Sequence, residues 1–346
     1  MRKAELVGFE KFVIKEVPDP EPGKGQVVIR VNYCAVCGTD LEPFRVLKEK
    51  NIDTRYISGS MNLWAQMTGI TMYQLLGHEI SGEIAKVGEG VEGWSVGDRV
   101  VPRAYGGYAD YVIADVKPVG LFSGLYRIPD GVSMEEAALV EPLSVAVAAV
   151  RRSEMKLGDR VAIFGAGPIG LLILQCIRAA GAGEVFISEP LKVRREVAKK
   201  LGADEVINPR EEDPVERIKD LTGGEGVNVA FECSGVGEVL RQAIEAVRVG
   251  VPEYRSRGRV MVVGIYPKPA VIYPNWVVLK NVELRGTLAY NPPSAPDDEF
   301  KIALTLLKRR MVNLKPLITA KFPLERINDA FREALEGKHI KVLIHP

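Results

Sequence analysis

The sequence predicts an α/β fold in which a doubly wound parallel sheet is inserted into a small, β-rich, barrel-like domain. Three observations lead there. A chain of 346 residues exceeds what one ordinary hydrophobic core organises, so two domains are expected. Near Glu154 the rhythm changes from short strands broken by glycines to strands alternating with helices, which implies a parallel sheet. After about Tyr290 the pattern becomes mixed again, so the tail is expected to return to the first domain. The expected boundaries are 1–153 completed by 290–346 for the β-rich domain, and 154–289 for the parallel-sheet domain.

Within the first part, "QVVIRV" alternates and places Val27, Ile29 and Val31 on one face of a strand, after the turn cluster "PDPEPGKG". "HEISGEIAKVGEGVEGWSVGDRVV" gives two more short strands and "GGYADYVIA" another. The second part opens with "RVAIFGAGPIGLLILQCIRAAGAGEVFISEP", which reads as strand, glycine turn, apolar helix and strand. "REVAKKLGAD" is a helix ended by glycine, and "NVAFECSG" and "RVMVVGIY" are buried strands on either side of the helical "EVLRQAIEAV". The tail holds two helices, "DEFKIALTLLKRR" and "INDAFREAL", and a final strand "KVLIHP". No internal repeat and no low-complexity tract interrupts this order.

Composition narrows the function. Hydrophobic content of 47% with 26% charged residues is ordinary for a soluble globular protein. The net charge of +1 supplies no global field for nucleic acid or a membrane surface. No window approaches the ~18 uninterrupted apolar residues of a spanning helix. The start, "MRKAELVGFEKFVIKEV", lacks the apolar region of a signal peptide, so a cytoplasmic location is expected. Four cysteines in such a chain read better as metal ligands, packing residues or catalytic groups than as disulfides.

Two local patterns carry chemistry. "GAGPIG" sets Gly165, Gly167 and Gly170 in G-x-G-x-x-G spacing between a strand and an apolar helix. Gly165 permits the tight turn, Gly167 lets the backbone approach a pyrophosphate, and Gly170 lets helix pack on strand. The helix N-terminus offers free N–H groups to phosphates. Glu189 ends the next strand, where a carboxylate accepts hydrogen bonds from an adenosine ribose. A plain βα turn and a surface charge at a strand end are the alternatives. The second pattern is "QLLGHEISGE". His78 is one of three histidines, the others being His339 and His345, and it stands beside Glu79. Alone it reads equally as a turn histidine or a ligand. Cys34 and Cys37 form a C-x-x-C, but a zinc knuckle needs a second pair and none exists. Cys176, in an apolar helix, and Cys233, at a strand end, read as packing residues.

"CGTD", "GHEISGEIAKVGEGV", "VGDRV", "EPLSVA" and "GAGPIGLL", in that order, resemble the zinc-dependent medium-chain dehydrogenases, on their polyol and threonine dehydrogenase side. The resemblance covers nearly the whole chain. It implies a GroES-like barrel domain with an inserted Rossmann domain. It also implies that Cys37 is the thiolate ligand and His78 the imidazole ligand of a catalytic zinc, with Glu79 beside the metal and Glu141 able to reach it. Such a zinc keeps one position open for substrate. Thr39 is then the hydroxyl through which the proton leaves. Ile169, Arg194, Val263 and Gly264 join Gly165, Gly167, Gly170 and Glu189 as cofactor contacts, with NAD expected over NADP. The implied reaction is hydride transfer between NAD and a secondary hydroxyl of a polyol, sugar or sugar acid. The rivals are threonine dehydrogenase-like oxidation of a hydroxy amino acid, and a nucleotide-binding protein that has lost catalysis. The resemblance further implies a homodimer or homotetramer, formed through the last strand of the inserted sheet in "NVELRGTLA".

The chain departs from the family in three places. Many members carry a cysteine-rich lobe for a structural zinc, whereas "GDRVVPRAYGGYADYV" runs through without a cysteine, so one zinc per chain is expected. The interval between Asp40 and His78 is longer than usual, and its 45–74 stretch, rich in methionine and aromatics, is expected to be a mobile loop or to cover the substrate cleft or a subunit contact. Glu42 stands where many relatives have histidine, which alters proton exit or a substrate contact.

Overall fold

The computed structural model describes residues 1–46, 75–117, 123–250, 257–266, 268–291 and 298–346. The 45–74 stretch therefore lies almost wholly outside the described residues. In chain order the strands are β1 (Arg2–Gly8), β2 (Lys11–Glu16), β3 (Gln26–Ala35), β4 (Glu79–Val87), β5 (Arg99–Pro102), β6 (Tyr111–Asp115), β7 (Leu125–Arg127), β8 (Val161–Phe164), β9 (Val185–Ser188), β10 (Glu205–Ile207), β11 (Val229–Glu232), β12 (Arg259–Val262), β13 (Glu283–Gly286), β14 (Ile318–Pro323) and β15 (Lys341–His345). The helices are α1 (Gly38–Val46), α2 (Met134–Ala138), α3 (Val140–Arg152), α4 (Pro168–Ala179), α5 (Lys192–Lys200), α6 (Pro214–Leu221), α7 (Gly237–Ala246), α8 (Pro274–Leu279), α9 (Glu299–Lys308) and α10 (Ile327–Leu335). Two compact units result: Met1–Pro142, Asn291–Arg310 and Leu314–Pro346 form one, and Leu143–Tyr290 with Met311–Asn313 the other.

The first unit is built on a seven-stranded sheet in the order β14-β15-β3-β4-β5-β7, with β6 paired to the first half of β3. The strand β3 is its hub: Val27 to Arg30 pair with β6, while Cys34 and Ala35 pair with β15 on one side and with the start of β4 on the other. Val27, Ile29 and Val31 do share the core face, as the alternation predicts. Val28, on the opposite face, is buried too, and α2 packs against β3 and β4 beside Tyr33 and Ser81. A capping box between Ser133 and Glu136 starts α2. The hairpin of β1 and β2 and the helices α2 and α3 were not anticipated. In β1 the burial alternates only between half-buried and exposed, so its periodicity in sequence is faint.

Two features hold this unit together. Phe12 of β2, Phe44 of α1, Tyr108 ahead of β6 and Phe331 of α10 form one aromatic cluster, with Phe331 at 4.8, 5.0 and 5.5 Å from Phe12, Phe44 and Tyr108. Truncating a buried Phe of this kind costs roughly 3–5 kcal/mol. The second is Arg103, whose guanidinium is fully buried over the Phe300 ring at 4.4 Å. It donates to Asp298 Oδ1 (3.0 Å) and to the Asn291 carbonyl (2.8 Å), while Tyr126 gives its hydroxyl to Asp298 Oδ2 (2.8 Å). Asp298 also caps α9.

The second unit carries a fully parallel six-stranded sheet, β10-β9-β8-β11-β12-β13. The order reverses at β8, as in a doubly wound dinucleotide fold. Strands β8, β9 and β11 are buried at every position, which matches their apolar sequences up to the closing Ser188 of β9 and Glu232 of β11. Among the described residues no helix is long and apolar enough to cross a membrane.

Candidate functional site

Strand pairing in the first unit brings together three donors far apart in sequence. Cys37 follows the end of β3, Glu79 is the first residue of β4 and His78 precedes it, and Glu79 lies opposite Ala35 in the β3–β4 register. One ligand atom from each of Cys37, His78 and Glu79 falls within 4.8 Å of the other two. Gly77 makes the approach to His78 possible. Its φ is +68°, and a Cβ there would stand 3.0 Å from the backbone nitrogens of Gly107 and Tyr108.

Asp40 ties these pieces to one another. Its Oδ2 accepts from the Cys37 N–H (3.1 Å) and the Tyr108 hydroxyl (2.6 Å), and its Oδ1 accepts from the Gly77 N–H (3.3 Å). The same Oδ1 lies 3.6 Å from His78 Nδ1. That nitrogen also lies 2.8 Å from the Leu75 carbonyl, which assigns its proton to the Leu75 side and leaves the Nε2 lone pair for the site. Burial opposes a charged His78. Asp40, then Cys37 and Glu141 outweigh it and hold the ring well above the ordinary histidine range. The surroundings are thus strongly favourable to a cation.

On the other side stands Lys341, the first residue of β15. It is 3% exposed, and Glu79 is fully buried. Its Nζ donates to Glu79 Oε1 (2.6 Å) and to the Val36 carbonyl (2.9 Å). Burial pushes the Glu79 carboxyl up and Lys341 pulls it only part of the way back. Glu79 Oε2 is buried and has no hydrogen-bond partner among the described residues. A thiolate, an imidazole nitrogen and an orphaned carboxylate oxygen form a donor set that fits zinc. Glu141, in the first turn of α3 and 6% exposed, stands outside the 4.8 Å set but acts electrostatically on His78 and Lys341. Thr39, half-buried, lies in the first turn of α1, and Glu42 follows in its second turn. Cys34 is fully buried in the core, and all four cysteines are free.

In the second unit β8 runs into Gly165 (φ +99°) and α4 starts after Gly167, with Pro168 at its first position. A Cβ on Gly170 would lie 1.9 Å from the Gly165 carbonyl oxygen, so only glycine lets the helix sit this close. Among the described residues, and apart from its own neighbours and helix backbone, a Cβ on Gly167 would meet within 4 Å only Arg194 Nη1, at 3.9 Å. Arg194 Nε is buried without a hydrogen-bond partner among the described residues. A cationic group over an open glycine and a free helix N-terminus is a cradle that fits a pyrophosphate. Glu189 is buried after β9, with Oε2 on the Ala166 N–H (2.8 Å) and Oε1 on the Leu191 N–H (2.9 Å). Ile169 is half-buried in the first turn of α4, and Val263 and Gly264 follow β12 on the same carboxyl edge of the sheet.

The family models bear on both units. Residues 23–126 match the alcohol dehydrogenase GroES-like domain and residues 168–309 match the zinc-binding dehydrogenase domain. The chain is 35% identical to (R,R)-butanediol dehydrogenase of Bacillus subtilis (strain 168), over all of both proteins. It belongs to the zinc-binding alcohol dehydrogenase family. This dehydrogenase is also 33% identical to L-threonine 3-dehydrogenase of Thermococcus kodakarensis, across 96% of its own chain and 93% of the relative. The crystal structure of 2R,3R-butanediol dehydrogenase from Bacillus subtilis superposes with a TM-score of 0.82 at 32% identity, covering 100% of this chain and 99% of that one. The expected family, the GroES-like and Rossmann fold class, and an alcohol dehydrogenase activity with zinc and a nucleotide cofactor are thereby borne out.

Sequence reasoning assigned no role to Asp40, Tyr108 or Lys341 in this dehydrogenase. Asp40 was visible, three residues after Cys37 in "CGTD". A lysine at the start of an apolar strand signals nothing, because such a side chain ordinarily reaches solvent.

Proposed function

We propose that this dehydrogenase oxidises a secondary hydroxyl that has another hydroxyl nearby, as in a polyol, sugar or sugar acid, with NAD as the acceptor. The convergence of Cys37, His78 and Glu79 within 4.8 Å carries the reading. These residues would hold one zinc per chain, with Glu141, which acts electrostatically on His78, as a further candidate ligand. When bound there, the metal would supply Lewis acidity toward a substrate hydroxyl and the dinucleotide would supply a hydride acceptor. The protein's own groups do the rest. Asp40 holds the Cys37 and Gly77 backbones and faces the His78 ring. Lys341 fixes one oxygen of Glu79, so that the other is presented to the site. Thr39 receives the alcohol proton and passes it on, since a hydroxyl both accepts and donates. Glu189, whose oxygens are held by the Ala166 and Leu191 N–H groups, would use its remaining lone pairs to accept from the adenosine ribose, which favours NAD, while Arg194 and the start of α4 would hold the phosphates.

Support for a neighbouring hydroxyl comes from the butanediol dehydrogenase relatives and from two further carboxylates, Glu42 in α1, which begins just after Cys37, and Glu141 in α3. The threonine dehydrogenase relatives sustain oxidation of a hydroxy amino acid as the second reading. Assembly as a dimer or tetramer is part of the proposal. Among the described residues the edge strand β13 leaves one side unpaired, and Leu284, Leu288, Val278 and Leu279 are exposed.

Steady-state kinetics with a vicinal diol, a polyol, a sugar acid, a simple secondary alcohol and L-threonine test the reading, each with NAD and NADP. A hydroxyl-bearing substrate is expected to exceed the simple alcohol in kcat/KM by at least about tenfold, with NAD preferred over NADP by about as much. L-threonine as the best substrate would replace the first reading with the second, and an NADP preference would overturn the role of Glu189.

A further inference from the structure

The buried carboxylate of Glu232, at the end of β11, belongs to neither the metal donors nor the glycine turn. It is fully buried and gathers four donors. Its Oε1 accepts from the N–H groups of Ser234 (2.7 Å) and Gly235 (3.0 Å) and from the Ser234 hydroxyl, and its Oε2 accepts from the Tyr266 hydroxyl. Its backbone carbonyl accepts from the N–H groups of Val263 (2.9 Å) and Gly264 (3.0 Å). One residue therefore fastens the loop after β11 to the loop after β12, by main chain and side chain together. The loops interlock at backbone distance. A Cβ on Gly264 would stand 2.4 Å from the Gly235 nitrogen and 2.7 Å from Glu232 Oε2, and one on Gly235 would stand 2.3 Å from the Ile265 carbonyl oxygen.

A carboxylate that only capped its own turn would be satisfied by Ser234 and Gly235. Tyr266 comes from the next loop and loads the oxygen that faces Gly264. The sheet order shows what this edge serves. The reversal is at β8, with β9 and Glu189 on one side and β11 and β12 on the other. A dinucleotide crosses the carboxyl edge at the reversal, so with its adenosine at Glu189 its nicotinamide half lies over β11 and β12. We propose that Glu232, clamped by Tyr266, is a positioning residue that sets the Val263–Gly264 backbone for the nicotinamide half of the cofactor. This rests on the dinucleotide reading above.

The test compares NADH with ADP-ribose, which lacks the nicotinamide, by calorimetric titration of the zinc-loaded full chain. Tyr266→Phe removes one hydroxyl and little volume, and Glu232→Gln keeps the shape but brings an N–H among the donors. Each variant is expected to weaken NADH by about tenfold and to leave ADP-ribose within about twofold of wild type. Thermal melts of both variants accompany the titrations, and if Glu232→Gln fails to fold, Tyr266→Phe decides alone. Unchanged NADH binding in a folded variant overturns the proposal. Equal weakening of NADH and ADP-ribose overturns it as well, because the clamp then supports the fold and not the nicotinamide end. A wild-type protein that binds neither ligand overturns the dinucleotide reading itself and takes the proposal with it.

Discussion

Replacing Lys341 by Met probes the metal centre from behind. Lys341 Nζ and Glu79 Oε1 are 2.6 Å apart, with side-chain exposures of 3% and 0%. Removing one partner of a buried pair strands the other, at about 3–5 kcal/mol. The Val36 carbonyl also loses its lysine donor, which adds about 1 kcal/mol. Lys341→Met should therefore destabilise the metal-free protein by about 4–6 kcal/mol. Adding Glu79→Gln removes the stranded carboxylate, so the double variant should recover about 2 kcal/mol or more of that loss. Zinc should stabilise Lys341→Met more than it stabilises wild type, because the metal supplies the positive partner that Glu79 has lost. Urea unfolding of chelator-treated protein, followed by circular dichroism with and without added zinc, measures all of these. The reasoning fails if Lys341→Met costs less than about 1 kcal/mol, the scale of a surface ion pair. It fails equally if the double variant is no more stable than the single one.

Other substitutions separate the two units. Gly170→Ala drives a methyl into the Gly165 carbonyl and should abolish NADH binding while zinc content, measured by elemental analysis, stays at the wild-type level. Cys37→Ala or His78→Ala should do the reverse, taking zinc from about one per chain to a small fraction with NADH binding retained. Gly77→Ala meets both a positive φ and two backbone nitrogens at 3.0 Å, and should lower stability by about 1–3 kcal/mol along with zinc retention. Acid should expose one further pair. Burial raises the Asp110 carboxyl, but bonds from the Arg2 side chain and N–H more than offset it and leave it below the usual carboxylate range. Its contribution is present in full above the unfolded value of about 4 and is lost as pH falls through the folded one. The stability advantage of wild type over Arg2→Met should shrink over that acid window in thermal melts.

The parts of the site that were legible in sequence are those with a local signal. The glycine turn declares itself because the strand, the glycines and the apolar helix are contiguous, and Glu189 follows at the end of the next strand. Cys37, His78 and Glu79 were found through the order of family motifs, since no spacing along the chain foretells that they meet. The rest depends on register. Lys341 reaches Glu79 across 262 positions, and Tyr108 reaches Asp40 across 68, only because β15 and β4 both flank the end of β3 and because the aromatic cluster carries Tyr108 inward. The clamp of Glu232 by Tyr266 was hidden for the same reason, as "FECSG" and "VGIY" are each plain strand ends until β11 and β12 lie side by side.

The position of β15 has a consequence for synthesis. It lies inside its sheet, between β14 and β3, and leaves the ribosome after every other element described here. The second unit is nearly continuous in sequence and can close on itself while translation proceeds. The first unit cannot. Until Lys341 arrives, its buried pair with Glu79 cannot form, and until Asp298 arrives, neither can the buried pair of Arg103 and Asp298. Nascent β3 and β4 thus wait with one flank of β3 open, and a cation taken up early by Cys37, His78 and Glu79 would occupy the charge that the lysine later meets. The dinucleotide fold can mature first, and the metal centre is finished by β15, the last of the described strands to be made.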